Sequence, residues 1–200
     1  MDIMQDIREL INPEGITSKN IIAAQKSFWN YSKLMNSKFF CDDRAYLREL
    51  GDTLQGVFEG TIINPNTQEP YKKLMINLPP RHGKSYSVTL FNQWMLGRNN
   101  DTRIISVSYN ETLSNRFARQ VRDGIDATKL ENSRMIFSDV FPTTQIKHGD
   151  ASVQTWSLAG QFFNFLATGF GGTMTGFDSS NTNTSMSDSR GNPSYPGYGG

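Results

Sequence analysis

A single cysteine, Cys41, rules out an internal disulfide, and with only two histidines in 200 residues a structural zinc site has too few soft ligands. A reducing, intracellular setting is expected. Charge of either sign is also missing in excess: 20 Lys and Arg stand against 19 Asp and Glu, for a formal net charge of +1. Nothing in that balance draws the whole chain toward nucleic acid or an anionic lipid surface, so any DNA contact would need a local patch. Long apolar runs are absent too, none nearing the roughly 18 residues of a membrane span. The start, Met1-Asp2-Ile3-Met4-Gln5-Asp6, is mixed and acidic rather than basic and then apolar. The chain therefore reads as soluble and unsecreted, with no membrane partner. Its length suits one domain carrying a small helical piece.

Apolar spacing predicts the elements. From Thr17 to Asn36, Ile21, Ile22, Phe28, Trp29, Leu34 and Met35 recur at helical intervals, with Thr17 or Ser18 to cap the start. A second helix is expected from Asp42 or Asp43, as cap, through Leu47, Leu50 and Leu54 to Phe58, with Gly60 past its end. Asn64 to Pro70 is turn chemistry. Lys73-Leu74-Met75-Ile76-Asn77-Leu78 then reads as a buried strand stopped by two prolines. Lys84 to Arg98 reads as a helix with Val88, Phe91, Trp94 and Met95 on its buried face. Arg103 to Tyr109 is a second strand candidate. Glu111 to Ile125 is a helix capped by Asn110 and buried through Leu113, Phe117 and Val121. Such alternation predicts an α/β fold with a parallel sheet flanked by helices. Ser152 to Leu158 and Gln161 to Ala167, separated by Ala159-Gly160, read as a hairpin. Asp178 to Gly200, rich in Ser, Asn, Asp, Gly and Pro, is expected to be a disordered low-complexity tail.

Between the first strand and its helix lies Leu78-Pro79-Pro80-Arg81-His82-Gly83-Lys84-Ser85. Holding a nucleoside triphosphate requires backbone N–H groups converging on anionic oxygens, a close approach that only glycine permits, a point positive charge and a hydroxyl for Mg²⁺. Gly83, Lys84 and Ser85 supply the last three at the start of a helix, whose dipole adds to anion stabilisation. A Gly-Lys-[Ser/Thr] triplet arises by chance in roughly one chain of this length in ten, so the flanking strand and helix carry the weight. The competing reading is a surface turn with a solvated Lys84 and Ser85 as an N-cap. Arg81 lies where a guanidinium can reach a phosphate oxygen, against the plainer alternative of a solvated loop arginine. At His82 the backbone N–H matters more than the ring. His148, beside Lys147, reads as a surface residue.

These residues, with Leu96-Gly97-Arg98-Asn99 and Arg103 to Asn110 after them, resemble the ATPase of large terminase subunits of tailed bacteriophages. Phe165 to Gly176, Phe-Leu-Ala-Thr-Gly-Phe-Gly-Gly-Thr-Met-Thr-Gly, is similar to the glycine-rich stretch which that family places before its Walker B strand. The resemblance spans about Thr17 to Phe177. It implies a P-loop NTPase-type sheet in which the first Walker A glycine is replaced, here by Leu78, and an arginine stands in the loop. By the same resemblance Arg81, His82, Gly83, Lys84, Ser85 and Tyr86 would hold ATP. Lys84 would neutralise the β/γ-phosphates, Arg81 would sense phosphate and Ser85 would ligate Mg²⁺. It further implies translocation of double-stranded DNA into a capsid, partnership with a small terminase subunit and the portal ring, homo-oligomerisation in the full-length motor, and a host-cytoplasmic location. The expected organisation is a helical region over 1–70, a partial P-loop ATPase domain over 71–177 and the tail over 178–200.

The chain departs from the family after the glycine-rich stretch. Where an apolar strand ending in acidic residues is expected, it has Phe177-Asp178-Ser179-Ser180, so neither Asp178 nor Asp188 is assigned as the Walker B acid or the catalytic base. The family's nuclease domain is not expected within these 200 residues. Because positioning and charge stabilisation are nearly the whole of phosphoryl-transfer catalysis, nucleotide binding without turnover is expected of this chain. Two other readings stay open: a non-hydrolysing nucleotide-binding or regulatory protein, and a helicase-type P-loop ATPase. Arg116, Arg119 and Arg122 form a candidate DNA patch, with a solvated helix face as the alternative.

Overall fold

The spacing from Thr17 to Asn36 predicts one helix. The computed structural model, which describes residues 18–129, 135–149 and 152–170, has two there: α1 (Ser18–Lys26) and α2 (Phe28–Met35). Ser27 between them is extended, at φ −123° and ψ 123°, and its hydroxyl accepts the Asn30 N–H at 3.3 Å. A serine hydroxyl competing for backbone donors is a signal that apolar periodicity does not register. The break is bridged from outside. Gln55 accepts the Phe28 N–H at 2.9 Å through Oε1 and donates through Nε2 to the Lys26 carbonyl at 3.0 Å.

Gln55 belongs to α3 (Ala45–Phe58), which starts later than expected. Asp42 does not cap it but pairs with Lys33 at 2.9 Å, and Arg44 takes the N-cap position with no side-chain hydrogen bond to the helix's first N–H groups. Its far end is as expected. Gly60 adopts φ +68°, its N–H reaches the Val57 carbonyl, and the Thr61 N–H reaches the Gly56 carbonyl, closing the helix in a Schellman arrangement. The following turn closes through Asn64 N–H to the Glu69 carbonyl at 2.8 Å and Tyr71 N–H to the Ile62 carbonyl at 2.9 Å.

The buried strand expected at 73–78 is not formed. The segment is irregular, with Leu74 and Met75 exposed at 40% and 93%. It has no ladder partner among the described residues, and an unpartnered strand leaves N–H and C=O groups that water satisfies better.

The helix after the loop, α4 (Lys84–Arg98), is buried over more of its surface than expected, although Val88 and Met95 of the expected face are only half-buried. Besides Phe91 and Trp94, Ser87, Thr89, Leu90, Asn92, Gln93 and Leu96 are all buried. Helices α1, α2 and α3 pack against it. Phe28 meets the Phe91 ring edge-on at 5.0 Å, Phe58 packs on both Phe91 and Trp94, and Trp94 Nε1 donates to the Ala24 carbonyl at 2.9 Å. The buried amide of Gln93 accepts from the Tyr31 hydroxyl at 3.4 Å and donates to the Val121 carbonyl at 3.2 Å.

The described residues fall into two compact units, one running to Arg98 and including Val121–Gln145, the other comprising Asn99–Gln120 and the residues from Ile146 on. The second contains β1 (Ile104–Ser108), the first part of α5 (Glu111–Ile125), β2 (Thr155–Trp156) and β3 (Phe165–Gly169). A short helix, α6 (Phe137–Val140), belongs to the first. β1 and β3 run parallel with Ser106 opposite Ala167, and β2 joins β3 antiparallel, giving the order β1-β3-β2. The class is therefore mixed α/β, with a mixed three-stranded sheet among the described residues rather than a wholly parallel one. The expected hairpin is present, with strands shorter than the sequence suggests.

Asn110 caps α5 as expected, accepting the Leu113 N–H at 2.8 Å. Its buried face is different: Ser114, Ala118, Val121 and Ile125 lie inside, while Leu113 is 53% exposed and Phe117 half-buried. Close approach explains the difference. Ser114 Oγ donates to the Ser106 carbonyl at 2.7 Å, and a Cβ on Gly169 would meet the Glu111 nitrogen at 3.0 Å, so only small side chains fit where the helix start nears the strands. The tail expected to be disordered, 178–200, lies outside the described residues.

Two outcomes follow for stability. Gln55→Ala removes both hydrogen bonds across the α1–α2 corner and is expected to cost about 1 kcal/mol in denaturant unfolding. Burial, with nearby Tyr86 as the smaller cause, pushes the Tyr31 phenol far above the ordinary tyrosine value. The native state thus keeps a proton that the unfolded chain releases near pH 10, and the stabilisation, full below that pH, declines as pH rises above it. Denaturation midpoints measured from pH 8 to 11 should fall less steeply in Tyr31→Phe than in the parent.

Candidate functional site

The loop from Leu78 to Ser85 has a backbone that turns by alternating its hand. Arg81 adopts φ +66° and Gly83 φ +85°, with His82 between them at negative φ. Alternation of this kind brings successive N–H groups onto one concave side, a nest suited to anions. For a non-glycine residue such as Arg81 the left-handed region costs on the order of 1 kcal/mol, and strain of that kind concentrates at working sites. Proline at 79 and 80 removes two donors and fixes the approach. The His82 N–H reaches the Pro79 carbonyl at 3.4 Å, and its ring Nδ1, in the tautomer that carries the proton there, donates to the Pro80 carbonyl at 3.0 Å.

The first intramolecular bond of the following helix is Ser87 N–H to the Gly83 carbonyl at 2.8 Å. The N–H groups of Arg81, Gly83, Lys84, Ser85 and Tyr86 have no acceptor among the described residues. Three of them belong to the opening turn of α4, where the helix dipole adds positive potential. Arg81 and Lys84 are exposed and form no ion pair or hydrogen bond with a described residue. Ser85 is exposed too. Its carbonyl accepts the Thr89 hydroxyl at 2.9 Å, and its own hydroxyl is free of a partner among the described residues.

This arrangement fits a polyphosphate: a row of donors, two exposed cations and a hydroxyl beside them. It also fits Mg²⁺ in the way that ion is held beside phosphates, by few protein ligands with water and phosphate oxygens completing the shell. No group of three His, Cys, Asp or Glu side chains suited to a metal occurs among the described residues; Ser85 is the one metal ligand that the resemblance implies.

No sequence motif marks the Phe39-Phe40 pair. Phe40 is core, but Phe39 is half-buried under the loop. A Cβ added to Gly83 would lie 2.5 Å from Phe39 Cζ, so glycine is needed there for space as well as for its φ. The Phe39 ring meets Phe40 at 5.0 Å and Tyr86 at 5.3 Å, both edge-on. Tyr86, expected among the ATP-holding residues, turns its side chain into this cluster, where Asn36 Nδ2 donates to its hydroxyl at 3.3 Å. That leaves its N–H as the group available to an anion. Tyr46 stands beside the His82 ring at 6.0 Å. No spacing rule connects residues 36–46 to residues 82–86; the contact depends on where α2 stops.

Of the arginines read as a DNA patch, Arg116 and Arg119 are exposed on α5, while Arg122 is half-buried and paired with Asp123 at 3.3 Å. His148 is exposed. The glycine-rich stretch beyond Phe170, with Asp178 and Asp188, lies outside the described residues. Compared with family models, curated proteins and solved structures, the chain matches none.

The two demands on Gly83 can be separated. Gly160 has a similar φ of +78° with open space around a Cβ, whereas Gly83 faces Phe39. Gly160→Ala is expected to cost about 1 kcal/mol, the backbone term alone, and Gly83→Ala about 1–2 kcal/mol more. Urea unfolding of the two variants measures the difference.

Proposed function

We propose that this chain binds ATP with Mg²⁺ at Leu78–Ser85, as the nucleotide-holding part of a DNA-packaging motor of the large-terminase type. The observation that supports it most is the loop geometry. Left-handed Arg81 and Gly83 flank His82, and five N–H groups without internal acceptors lie beside the unpaired cations of Arg81 and Lys84. In this reading Lys84 neutralises the β/γ-phosphates and the Ser85 hydroxyl ligates Mg²⁺, which would screen phosphate charge. Arg81 faces the terminal phosphate, and the N–H groups of Gly83 and Tyr86 help cradle the anion, whereas the His82 N–H, expected to do so, is turned to the Pro79 carbonyl. The terminase assignment itself rests on the sequence resemblance. The P-loop-type sheet, double-stranded DNA, the small terminase subunit, the portal ring, homo-oligomerisation and a host-cytoplasmic setting all come with it.

A second reading, a nucleotide-binding or regulatory protein without turnover, is favoured by the irregular segment at 73–78. In a phosphoryl-transfer enzyme the loop must be held to fractions of an ångström, and a paired strand before it is the usual anchor. Here that anchor is not formed.

Titration with Mg-ATP, followed by a turnover assay with and without double-stranded DNA, tests both readings. Binding that weakens roughly tenfold or more in Lys84→Ala is expected, since a charge-assisted phosphate contact is lost. Equal affinity in parent and Lys84→Ala would sink the nucleotide reading. Binding without turnover selects the second reading over the motor ATPase, and DNA-stimulated turnover selects the motor.

A further inference from the structure

The contacts beneath the loop assign Phe39 a task that no motif marks, and the inference rests on the nucleotide reading above. We propose that Phe39 is a positioning residue for the phosphate loop: its ring, clamped by Arg44, Tyr86 and Phe40, holds Gly83 in the left-handed conformation that gathers the loop's N–H groups.

The ring is fixed from several sides. The Arg44 guanidinium lies over its face at 4.7 Å from the centroid, and Arg44 Nη1 donates to the Phe39 carbonyl at 3.2 Å. The same residue is thus gripped at side chain and backbone by one cation. Asn36 holds the other side, accepting the Phe39 N–H through Oδ1 at 3.1 Å while its Nδ2 donates to the Tyr86 hydroxyl. Tyr86 is two residues into α4 and stacks edge-on against Phe39, so the helix start and the ring form one block. Gly83 lies against that block with less room than a methyl group needs.

The consequence is sequential. Without the ring, Gly83 regains the wide φ range glycine has when nothing crowds it, and the loop spends less time with its donors converged. Apparent affinity falls by the factor through which the competent fraction falls. Phe39 touches no phosphate in this scheme; it acts only through Gly83.

The experiment measures Mg-ATP affinity and unfolding midpoint together for the full chain and four variants. Phe39→Ala is expected to weaken binding about tenfold, and Phe39→Tyr, which keeps the ring, to restore most of it. Phe58→Ala removes an aromatic group that packs on Phe91 and Trp94 instead of the loop, and serves as the control for stability loss alone. Lys84→Ala reports on the nucleotide site. Affinity that drops in Phe39→Ala well beyond the drop in Phe58→Ala at matched loss of stability supports the proposal. Parent binding that depends on Lys84 but is unchanged in Phe39→Ala, or that tracks stability alike in both phenylalanine variants, overturns it while leaving the nucleotide reading intact. Failure of the parent to bind, or indifference to Lys84→Ala, overturns both. Should Phe39→Ala fail to fold, Phe39→Leu takes its place: affinity equal to the parent's then overturns the proposal, and a several-fold loss supports it.

Discussion

The helical unit depends on the burial of α4. A helix that is enclosed nearly all round must be met by partners on every side, and this one starts at the phosphate loop, so whatever fixes the helix also fixes the loop's C-terminal end. Trp94 at its centre has no exposed surface and anchors its indole N–H on α1, while Phe28 from α2 and Phe58 from α3 close over the same stretch. Aromatic groups of this size supply most of the area that a small unit can remove from water. Among the polar residues within the enclosed surface, Gln93 and Thr89 are hydrogen-bonded, which lowers the desolvation cost of burying them, while the buried Ser87 hydroxyl has no partner among the described residues.

An ordering of the two ends of the loop follows from this. Its exit is embedded in a packed helix, and its underside rests on the aromatic block built from Phe39, Phe40 and Tyr86. Its entrance, residues 73–78, has no such support, and Met75 is almost fully exposed. A site held firmly on one side and loosely on the other can keep donors converged on a charge, a demand met by local backbone geometry. Aligning a nucleophile is a stricter requirement, because it depends on the placement of the whole loop.

Much of this architecture is legible in the sequence, and the parts that are not share a cause. Elements decided by near neighbours read correctly: the Schellman end at Gly60, the Asn110 cap, the Asn64 to Pro70 turn, and the helix from Lys84 to Arg98. Elements decided by distant partners do not. The 73–78 run looks like a strand because it is apolar, but a strand exists only where another lies beside it. Leu113 and Phe117 look like the inner face of α5 because they are large, whereas the helix comes close enough to β1 for the Ser114 hydroxyl to bond the Ser106 carbonyl, and it buries Ser114 and Ala118 instead. For the candidate site, the residue types at Gly83, Lys84 and Ser85 are plain in the sequence. The role of Arg81's backbone and of Phe39 beneath the loop is not, since both depend on conformations that no spacing rule encodes.

In the second unit one buried amide gathers three stretches of chain. Asn164, with no exposed surface, accepts the Leu158 N–H at 2.7 Å and donates to the carbonyls of Asn100 and Thr102 at 2.6 and 2.9 Å, just before β3 takes its place beside β1. Strand pairing alone is indifferent to a slip of one residue, apart from the face each side chain then shows. Here a slip would turn Asn164 toward the opposite face and leave the buried Leu158 N–H and the part-buried Asn100 and Thr102 carbonyls without this partner. The amide therefore works as a register pin: it makes one alignment of β3 against β1 far cheaper than its neighbours, and a short three-stranded sheet with little area of its own gains a unique pairing from a single side chain.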